Sequence, residues 1–387
     1  MINLPPVPEV SSAELARTLE AGDPIQVVDV RAPARVQTGR IDVGPNDKFH
    51  NIAGSQLIKY RDLTGTGIET EIPVAVVCGS GNDSKALAYH LNNLGCNARS
   101  LTGGMSSWMR LTVPRELTPP PSLDRLVQFD RLGKGAVGYL LVSDAAALII
   151  DPPRDVSAYL SVLHDSGADL VGVADTHIHA DYISGAPNLA RAMGVPYYLH
   201  PADAVYPYDG TPGRIEFEPL QDEKTIEFGR CTVRVIHTPG HTEGSVTFMI
   251  GDSAVITGDF LFIDSIGRPD LAGKTEEWTV QLWQSVELAK RQWSPDITVL
   301  PAHYASDAER NRDRSIGAPF GKLVTENEPL TIADRNNFRD WVGNRSGSFP
   351  EAYRKIKAVN VGLLQIDEAQ AEELEIGKNE CALGGGR

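Results

Sequence analysis

The sequence is poor in cysteine, and this shortage excludes a fold held together by disulfides. Among 387 residues there are only four cysteines, namely Cys78, Cys96, Cys231 and Cys381. They are too few and too scattered along the chain for a disulfide framework. Each cysteine is therefore expected to be either a small buried hydrophobic residue or a reactive thiol.

Positive charge is also scarce, which argues against polyanionic partners. Only 36 Lys and Arg residues oppose 51 Asp and Glu residues, so the formal net charge is −15. Such an excess repels phosphate backbones and anionic lipid head groups, and no basic run offsets it locally. We therefore expect no nucleic-acid partner and no membrane partner.

Long apolar runs are missing as well. The first residues, MINLPPVPEV, carry neither the basic nor the apolar stretch of a signal peptide, and no run approaches the ~20 residues that span a bilayer. These absences predict a cytoplasmic protein. The hydrophobic content of 41% suffices for more than one core, which excludes a disordered chain. At ~150 residues per domain, the length predicts two or three domains.

The first part of the chain alternates between strand-like and helix-like segments. Between Ile25 and Trp108 these are IQVVDV, PVAVVCG, the helical KALAYHLNNLG, and ARSLTGG. This alternation is typical of a parallel α/β sheet. The following run LTPPPS has three consecutive prolines, which favour a stiff, extended segment. We therefore predict a first domain over residues 1–116 and a linker over residues 117–125.

The remainder mixes hairpin patterns with strand–helix units. Over residues 126–326 this mixture predicts two mixed sheets covered by helices rather than one doubly wound sheet. Residues 327–387 are polar and rich in helical patterns, and they end in ECALGGGR. We expect a C-terminal helical extension with a flexible tail.

Histidines cluster in the second domain. Of nine in the chain, five fall in or beside loops at strand ends: His177, His179, His237, His241 and His303. The run ADTHIHADYISG places two of them just beyond an apolar strand, with Asp181 two residues further on. The runs HTPGHTEGSVTF, SAVITGDF and ITVLPAHY follow the same plan, and SAVITGDF contributes Asp259. A single such histidine is usually structural, but four such runs in one domain predict a metal site.

These runs resemble the metallo-β-lactamase superfamily, whose signature is H-x-H-x-D-H followed by later His, Asp and His ligands. The resemblance covers residues 128–307 and implies an αββα sandwich. Tyr182 stands where the dinuclear hydrolases of that superfamily have the last histidine of the signature. A neutral phenol is a poor zinc ligand, so we expect neither a second metal nor the bridging hydroxide that hydrolysis needs.

The ligand set that remains is His177, His241 and Asp259. Two imidazoles and one carboxylate with open positions favour Fe(II), one ion per chain, and O₂ chemistry. The neighbouring polar residues are expected to orient the ligands, exchange protons or contact the substrate: His179, Asp181, Tyr182 and His303.

The run GDFLFIDSIGRPDLAG resembles the persulfide dioxygenases within this superfamily. That resemblance implies oxidation of a low-molecular-weight persulfide, usually glutathione persulfide, by O₂ to sulfite and thiol, a step of sulfide detoxification. Arg268 is the candidate to bind a substrate carboxylate through a bidentate pair. The alternative for Arg268 is a structural ion pair with Asp264 or Asp270.

The runs VVDVRAP, HNIAG, VAVVCGSGNDSKALAYHLNNLG and LTGGMSSW resemble a rhodanese domain over residues 8–112. Cys78 ends an apolar strand, and a glycine-rich loop leads from it to a helix beginning near Ser84. Loop amides and the helix N-terminus stabilise a thiolate or persulfide, so Cys78 is the candidate carrier of sulfane sulfur. We expect Cys96 and Cys231 to be core or edge residues.

The rhodanese-like loop departs from the family pattern at its sixth position. Rhodaneses that use thiosulfate usually carry Arg there and often at the second position, whereas this chain has Asp83 and Gly79. A carboxylate near the sulfur opposes thiolate formation and the approach of a dianion. The alternative is that Asp83 caps the helix. Sulfur transfer is therefore less firmly indicated than sulfur oxidation.

Three functions remain open. The leading one is a two-domain sulfur enzyme, in which the rhodanese-like domain handles sulfane sulfur and the metal domain oxidises persulfide. The alternative is a zinc-dependent thioester hydrolase of glyoxalase II type. The third is a sulfide sensor with an inert metal domain, although the intact His177, His241 and Asp259 argue against inertness. We also expect a homo-oligomer.

Overall fold

The chain folds into two compact units in a computed structural model that describes residues 6–44 and 48–383. The smaller unit takes in the chain up to Val113, together with Arg131–Lys134 and Ile376–Lys378. The larger unit consists of Pro114–Asp130, Gly135–Glu375 and the chain from Asn379 on.

The smaller unit is a parallel α/β fold, as predicted. Its described strands are β1 (Glu9–Val10), β2 (Gln26–Asp29), β3 (Phe49–Asn51), β4 (Val74–Val77) and β5 (Ala98–Leu101). Its described helices are α1 (Ser12–Ala21), α2 (Pro33–Gln37), α3 (Gly54–Leu57), α4 (Asp83–Asn93) and α5 (Gly104–Arg110). The strands pair in parallel in the order β1-β5-β4-β2-β3. Strand β4 is buried on both faces, which explains its unbroken run of apolar residues.

The larger unit contains two sheets. The first has seven described strands in the order β12 to β6: β6 (Thr112–Leu117), β7 (Arg125–Arg131), β8 (Ala136–Ser143), β9 (Ala146–Ile150), β10 (Asp169–Ala174), β11 (Tyr197–Leu199) and β12 (Glu218–Pro219). The second has six in chain order: β13 (Thr225–Phe228), β14 (Cys231–His237), β15 (Val246–Ile250), β16 (Ala254–Gly258), β17 (Thr298–Pro301) and β18 (Ala318–Pro319). Both sheets mix parallel and antiparallel pairs, as predicted.

Helices cover the outer faces of the two sheets, which gives the αββα sandwich that the resemblance implied. They are α6 (Ser157–Ser166), α7 (Ala186–Met193), α8 (Thr275–Gln292), α9 (Phe320–Glu326), α10 (Glu328–Thr331) and α11 (Arg335–Gly343). Two further helices, α12 (Ala352–Asn360) and α13 (Glu368–Leu374), pack together against Ile183 in the loop after β10. One apolar core includes Leu148 of the first sheet with Phe248 and Ile256 of the second. A separate core places Leu163 and Leu189, from α6 and α7, against the first sheet.

The proline-rich run differs from the linker predicted for residues 117–125. It connects β6 to β7, two strands of one sheet, and it lies inside the larger unit. The division between units falls earlier, at Val113. Proline stiffness fits a connection between strands as well as it fits a linker, so composition alone could not separate the two roles. No helix in residues 6–44 and 48–383 is long and apolar enough to cross a membrane.

The C-terminal segment also differs from the flexible tail that was expected. As far as Leu383 it docks on the loop after β16, where the Arg268 amide donates to the Cys381 carbonyl (2.9 Å) and the Leu383 amide donates to the Ile266 carbonyl (3.0 Å). Cys381 is completely buried. The residues after Leu383 lie outside the described part of the chain.

Candidate functional site

Three strand ends bring His177, His241 and Asp259 together. His177 follows β10, His241 lies in the turn between β14 and β15, and Asp259 follows β16. All three side chains are buried, and one ligand atom of each lies within 4.8 Å of the other two. Asp259 Oδ2 lies 3.6 Å from His177 Nε2 and 3.4 Å from His241 Nε2.

Neighbouring groups fix the orientation of both imidazoles. His177 Nδ1 lies 3.0 Å from the Thr176 hydroxyl, which itself donates to Asp151 Oδ2 (2.8 Å). Because that hydroxyl uses its hydrogen in the bond to Asp151, it accepts a hydrogen bond from His177 Nδ1. His241 Nδ1 lies 3.0 Å from the Arg268 carbonyl, which can only accept. Both rings therefore carry their proton on Nδ1 and turn the lone pair of Nε2 toward Asp259.

The converging atoms fit a metal ion. His177 Nε2, His241 Nε2 and Asp259 Oδ2 are buried and have no hydrogen-bond partner among residues 6–44 and 48–383. Buried polar atoms without partners are rare, and three that face one another are the signature of a cation-binding site. Burial lowers the pKa of His177 well below its ordinary value and that of His241 to about 4. Both rings are thus neutral at physiological pH, as metal ligation requires.

His303 holds the other oxygen of the candidate carboxylate ligand. Its Nδ1 lies 2.6 Å from Asp259 Oδ1, and its Nε2 lies 3.1 Å from Asp181 Oδ2. Burial opposes protonation of His303, but the two carboxylates outweigh it and raise the pKa to about 10. A cationic His303 bridging the two acids leaves Asp259 Oδ2 turned toward the histidine pair.

His179, predicted beside the metal, forms a separate group with Asp151 and Asp175, although its ring lies 4.3 Å from that of His177. Its Nε2 lies 3.1 Å from Asp151 Oδ1 and 3.0 Å from the Tyr182 hydroxyl. Burial disfavours the charged ring, but Asp151 and Asp175 raise the pKa of His179 well above its ordinary value. Burial and the same carboxylates raise the pKa of Tyr182 well above its ordinary value, so the phenol stays neutral. His179 Nε2 and the Tyr182 hydroxyl are thus engaged with each other, whereas His179 Nδ1 is buried and has no hydrogen-bond partner in the described part of the chain.

A second group of ligand-type atoms lies next to the first. Asp181, His303 and Cys381 each place one such atom within 4.8 Å of the other two, and all three are buried. Here the docked C-terminal segment contributes the thiol. His303 Nε2 already contacts Asp181, so this group differs from the open triad.

Arg268 adopts the second of the two roles left open for it. It is buried and forms a bidentate pair with Asp270 (2.6 and 2.7 Å), and it also donates to the carbonyls of Gly347 and Glu380. Its donors are thus directed at protein groups rather than at a ligand. The expectation that Arg268 binds a substrate carboxylate is therefore corrected by this geometry. Gly267 beside it is required, because an added Cβ would lie 1.9 Å from the Asp259 carbonyl.

Asp203 forms hydrogen bonds with both histidine loops. No pattern in the sequence indicated this role. Its Oδ2 accepts from the Ile178 amide (2.7 Å) and from the Thr242 hydroxyl (2.7 Å), and its Oδ1 accepts from the Gly244 amide. Ile178 and Thr242 directly follow the two candidate histidine ligands. One buried carboxylate therefore fixes the spacing of both loops.

In the smaller unit, Cys78 directly follows β4 and is 3% exposed. Its Sγ accepts a hydrogen bond from the Gly81 amide (3.1 Å) and lies 3.3 Å from Ser84 Oγ, which in turn contacts Ser100 Oγ (2.9 Å). The loop packs closely on Gly104, where an added Cβ would lie 2.4 Å from the Cys78 carbonyl. The paired glycines of LTGGM are explained by this approach.

Asp83 is the first residue of α4 and is exposed, whereas the N-cap position belongs to Asn82. The reading of Asp83 as the helix cap is therefore not what the structure shows. Ser84, rather than Asp83, is the side chain that contacts the sulfur. His237, the remaining strand-end histidine, stacks on His200 with ring centroids 4.4 Å apart, and its Nε2 lies 2.9 Å from the Glu243 carbonyl.

A cavity of about 340 Å³ is lined by residues of both histidine loops. Its lining includes Ile178, Thr242 and Lys357 of α12, whose side chain is completely buried. The sequence indicates Lys357 only as a polar residue on the buried face of an amphipathic helix. Asp151, by contrast, ends the apolar run ALIID and so follows the same plan as the predicted ligands.

Comparison with known proteins matches each of two regions of the chain to a protein family. Residues 133–316 match the metallo-beta-lactamase superfamily, and residues 11–111 match the rhodanese-like domain. A probable metallo-hydrolase of Bacillus subtilis (strain 168) is 32% identical over 155 residues, which make up 37% of this chain and 74% of that protein. A hydroxyacylglutathione hydrolase of Acidiphilium cryptum (strain JF-5) is 36% identical over 130 residues, 34% of this chain and 51% of that protein.

Among solved structures, a metallo-beta-lactamase from Staphylococcus aureus subsp. aureus COL resembles this chain at 27% sequence identity with a TM-score of 0.54. The match covers 63% of this chain and 74% of that one.

Proposed function

Because the chain belongs to the metallo-beta-lactamase superfamily and carries a rhodanese-like domain ahead of that region, we propose that it is a non-haem Fe(II) dioxygenase of persulfides. Its substrate is a low-molecular-weight persulfide, with glutathione persulfide as the expected carrier. One persulfide, one O₂ and one water give one thiol, one sulfite and two protons.

The open triad is the observation that carries this proposal. Two neutral imidazoles and one carboxylate oxygen face one another without protein partners, which is the facial ligand set of non-haem iron oxygenases. His179, which would add a third imidazole, has its Nε2 engaged by Asp151 and Tyr182. This arrangement favours one ion with several open positions over a dinuclear hydrolytic centre.

The chain's own groups supply the setting for the reaction. His177, His241 and Asp259 would hold the ion, which when bound brings O₂ and the terminal sulfur into contact. His303 keeps Asp259 oriented and, with its pKa at about 10, stays protonated at neutral pH. Its positive charge offsets those of Asp259 and Asp181, so the buried acids do not repel an anionic persulfide as strongly.

The rhodanese-like unit handles sulfane sulfur on Cys78 in this proposal. The Gly81 amide and the Ser84 hydroxyl at the sulfur are the groups that would stabilise a persulfide anion there. The loop lacks the arginine of thiosulfate-using enzymes, so a persulfide donor is favoured over thiosulfate.

The decisive experiment combines metal analysis with O₂ uptake. Protein purified without added metal is expected to contain one iron per chain and to consume O₂ when glutathione persulfide is added. His177→Ala, His241→Ala and Asp259→Ala should each lose the metal and the uptake. His237→Ala is the matched control, because His237 is a strand-end histidine outside the triad. Near-normal uptake by any of the three ligand variants would refute the ligand assignment.

A second candidate is a zinc-dependent thioester hydrolase, which the 36% identity to a hydroxyacylglutathione hydrolase favours. The experiment described above distinguishes this hydrolase from the dioxygenase by its metal, by its substrate and by O₂ uptake. The hydrolase would contain zinc, would cleave a hydroxyacyl thioester of glutathione, and would consume no O₂.

A further inference from the structure

The cavity that has Lys357 in its lining adjoins both histidine loops. Its wall includes Ile178 and Thr242, which directly follow His177 and His241 in the chain. A volume of about 340 Å³ falls within the ~300 to 1,000 Å³ typical of small-molecule sites. A molecule in this cavity would therefore contact the residues that directly follow both candidate histidine ligands.

Lys357 brings a buried positive charge to this cavity. Its side chain is completely buried, and no hydrogen-bond partner for Nζ exists among residues 6–44 and 48–383. The nearest aromatic face, that of Tyr208, lies 5.8 Å away, close to the limit of a useful cation–π contact. Burial lowers the pKa of Lys357 to about 8, so the ammonium form still dominates at neutral pH.

The other charges of the lining already have partners. Lys274 Nζ lies 3.1 Å from Glu243. Both oxygens of Asp203 accept hydrogen bonds from the histidine loops, and Asp209 accepts from a backbone amide within its own turn. Within the described part of the chain, Lys357 is thus the charged lining residue without a hydrogen-bond or ion-pair partner.

An ammonium group buried in this way destabilises the fold unless an anion satisfies it. A lysine is a compact point charge suited to a single anionic oxygen. Lys357 lines the cavity together with Ile178 and Thr242, which directly follow His177 and His241, and the proposed function places the terminal sulfur at those histidines. The part of the substrate that reaches the lysine is therefore the carrier of that sulfur.

We propose that Lys357 binds a carboxylate of the carrier thiol, so that the substrate class is restricted to carboxylate-bearing, low-molecular-weight persulfides. This inference rests on the proposed function, which identifies the reacting group as the terminal sulfur of a persulfide. It assigns to Lys357 the binding of a substrate carboxylate, which the sequence analysis had assigned to Arg268.

Calorimetric titration of the purified full chain tests the subsite without turnover. The probes are reduced glutathione and its diethyl ester, which keeps the thiol but neutralises both carboxylates. Wild-type protein is expected to bind glutathione about tenfold or more tightly than the ester, because a hydrogen bond to a charged group is worth that factor. Lys357→Gln should abolish the difference, and Lys355→Gln, an exposed lysine of the same helix, should preserve it.

Equal binding of acid and ester by the wild type, or discrimination that persists in Lys357→Gln, would overturn the subsite. Lys357→Met separates this role from a structural one. Removing a buried charge should raise the melting temperature while the acid–ester difference is lost, whereas a lysine needed for folding would lower the melting temperature on removal.

Oxygen uptake with the two persulfides distinguishes this inference from the proposed function. Uptake by the wild type together with unchanged KM values in Lys357→Gln would sink the subsite and leave the dioxygenase standing. Binding of glutathione that depends on Lys357, with no uptake from either persulfide, would keep the subsite and refute the dioxygenase.

Discussion

In each of the two triad histidines, Nδ1 forms a hydrogen bond, whereas Nε2 has no hydrogen-bond partner in the described part of the chain. Hydrogen bonds at Nδ1 turn Nε2 of His177 and His241 inward, and His303 does the same for one oxygen of Asp259. Such contacts behind the ligands set the direction of their lone pairs before any ion arrives. Substitutions at single atoms should therefore change metal content in predictable ways.

Tyr182→His should raise the metal capacity from one ion per chain toward two. An imidazole at position 182 supplies a ligand where the neutral phenol supplies none, and it also removes the hydroxyl that contacts His179. Metal-to-protein ratios after loading with excess zinc measure the effect, with Tyr182→Phe as a control that should stay at one. A wild type that binds two equivalents, one of them lost in Cys381→Ser, would refute this prediction.

Asp83→Arg should increase the turnover of thiosulfate in a cyanide-acceptor assay. The substitution replaces a negative charge by a positive one at the start of the helix that follows Cys78, where a dianion has to approach. Because the position is exposed, screening by water limits the gain to about tenfold. Ser80→Arg, at another exposed position of the loop, is the control, and an equal gain there would assign the effect to net charge alone.

Arg268→Ala should lower the free energy of unfolding rather than weaken substrate binding. The substitution leaves Asp270 without its bidentate partner, which costs about 3 kcal/mol for a buried pair. Urea denaturation measures the loss. Arg345→Ala, which breaks an exposed pair with Glu328, should cost about 0.5 kcal/mol or less. A raised KM for glutathione persulfide at unchanged stability would return Arg268 to the substrate site.

Loops that follow strands carry the site, and Asp203 couples two of them. Asp203→Ala should weaken metal binding about tenfold or more, because the loops after β10 and β14 lose their common acceptor. Competition with a chromophoric chelator gives the affinity. Asp209→Ala removes a carboxylate that serves only its own turn and is the matched control. Equal affinities for the two variants would show that the loops hold their spacing without Asp203.

The sequence predicted the elements of the sandwich better than their connections. Apolar runs such as SAVITGD and ITVLPAH are strands because both of their faces are buried, and periodicity reports burial directly. The role of the proline run and the docking of Cys381 depend on tertiary packing between distant segments of the chain. The local sequence pattern does not report such packing. For the same reason strand-end residues could be recognised as ligands, whereas Asp203 and Lys357, which act through tertiary contacts, could not.

Two units of different architecture share this chain, and the larger one includes a buried ammonium group, that of Lys357, which has no hydrogen-bond partner in the described part of the chain. Lys357 has its pKa lowered to about 8 by burial, below its value in an unfolded chain. Between pH 8 and about 10.4 the unfolded state binds more protons than the folded state, so this group makes stability rise with pH in that window.

Lys357→Met should therefore be more stable than the wild type at pH 7, and the difference should shrink as the pH approaches 10. Urea denaturation at several pH values in a chelating buffer measures both free energies of unfolding. Lys355→Met is the control and should show no such convergence, because its exposed ammonium titrates alike in both states. If the difference in the free energy of unfolding between Lys357→Met and the wild type stayed constant from pH 7 to 10, the pKa of Lys357 would not be lowered in the folded state.

The ligands of the triad come from positions 177, 241 and 259, and a chain without tertiary structure cannot hold them together. A metal ion therefore binds the native state alone and adds to its stability, by about 4 kcal/mol at a thousandfold excess over its dissociation constant. Shifts of that size change how often a protein unfolds and is degraded in a cell. The abundance of this protein should accordingly follow the supply of its metal, falling in cells starved of that metal even when its synthesis is unchanged.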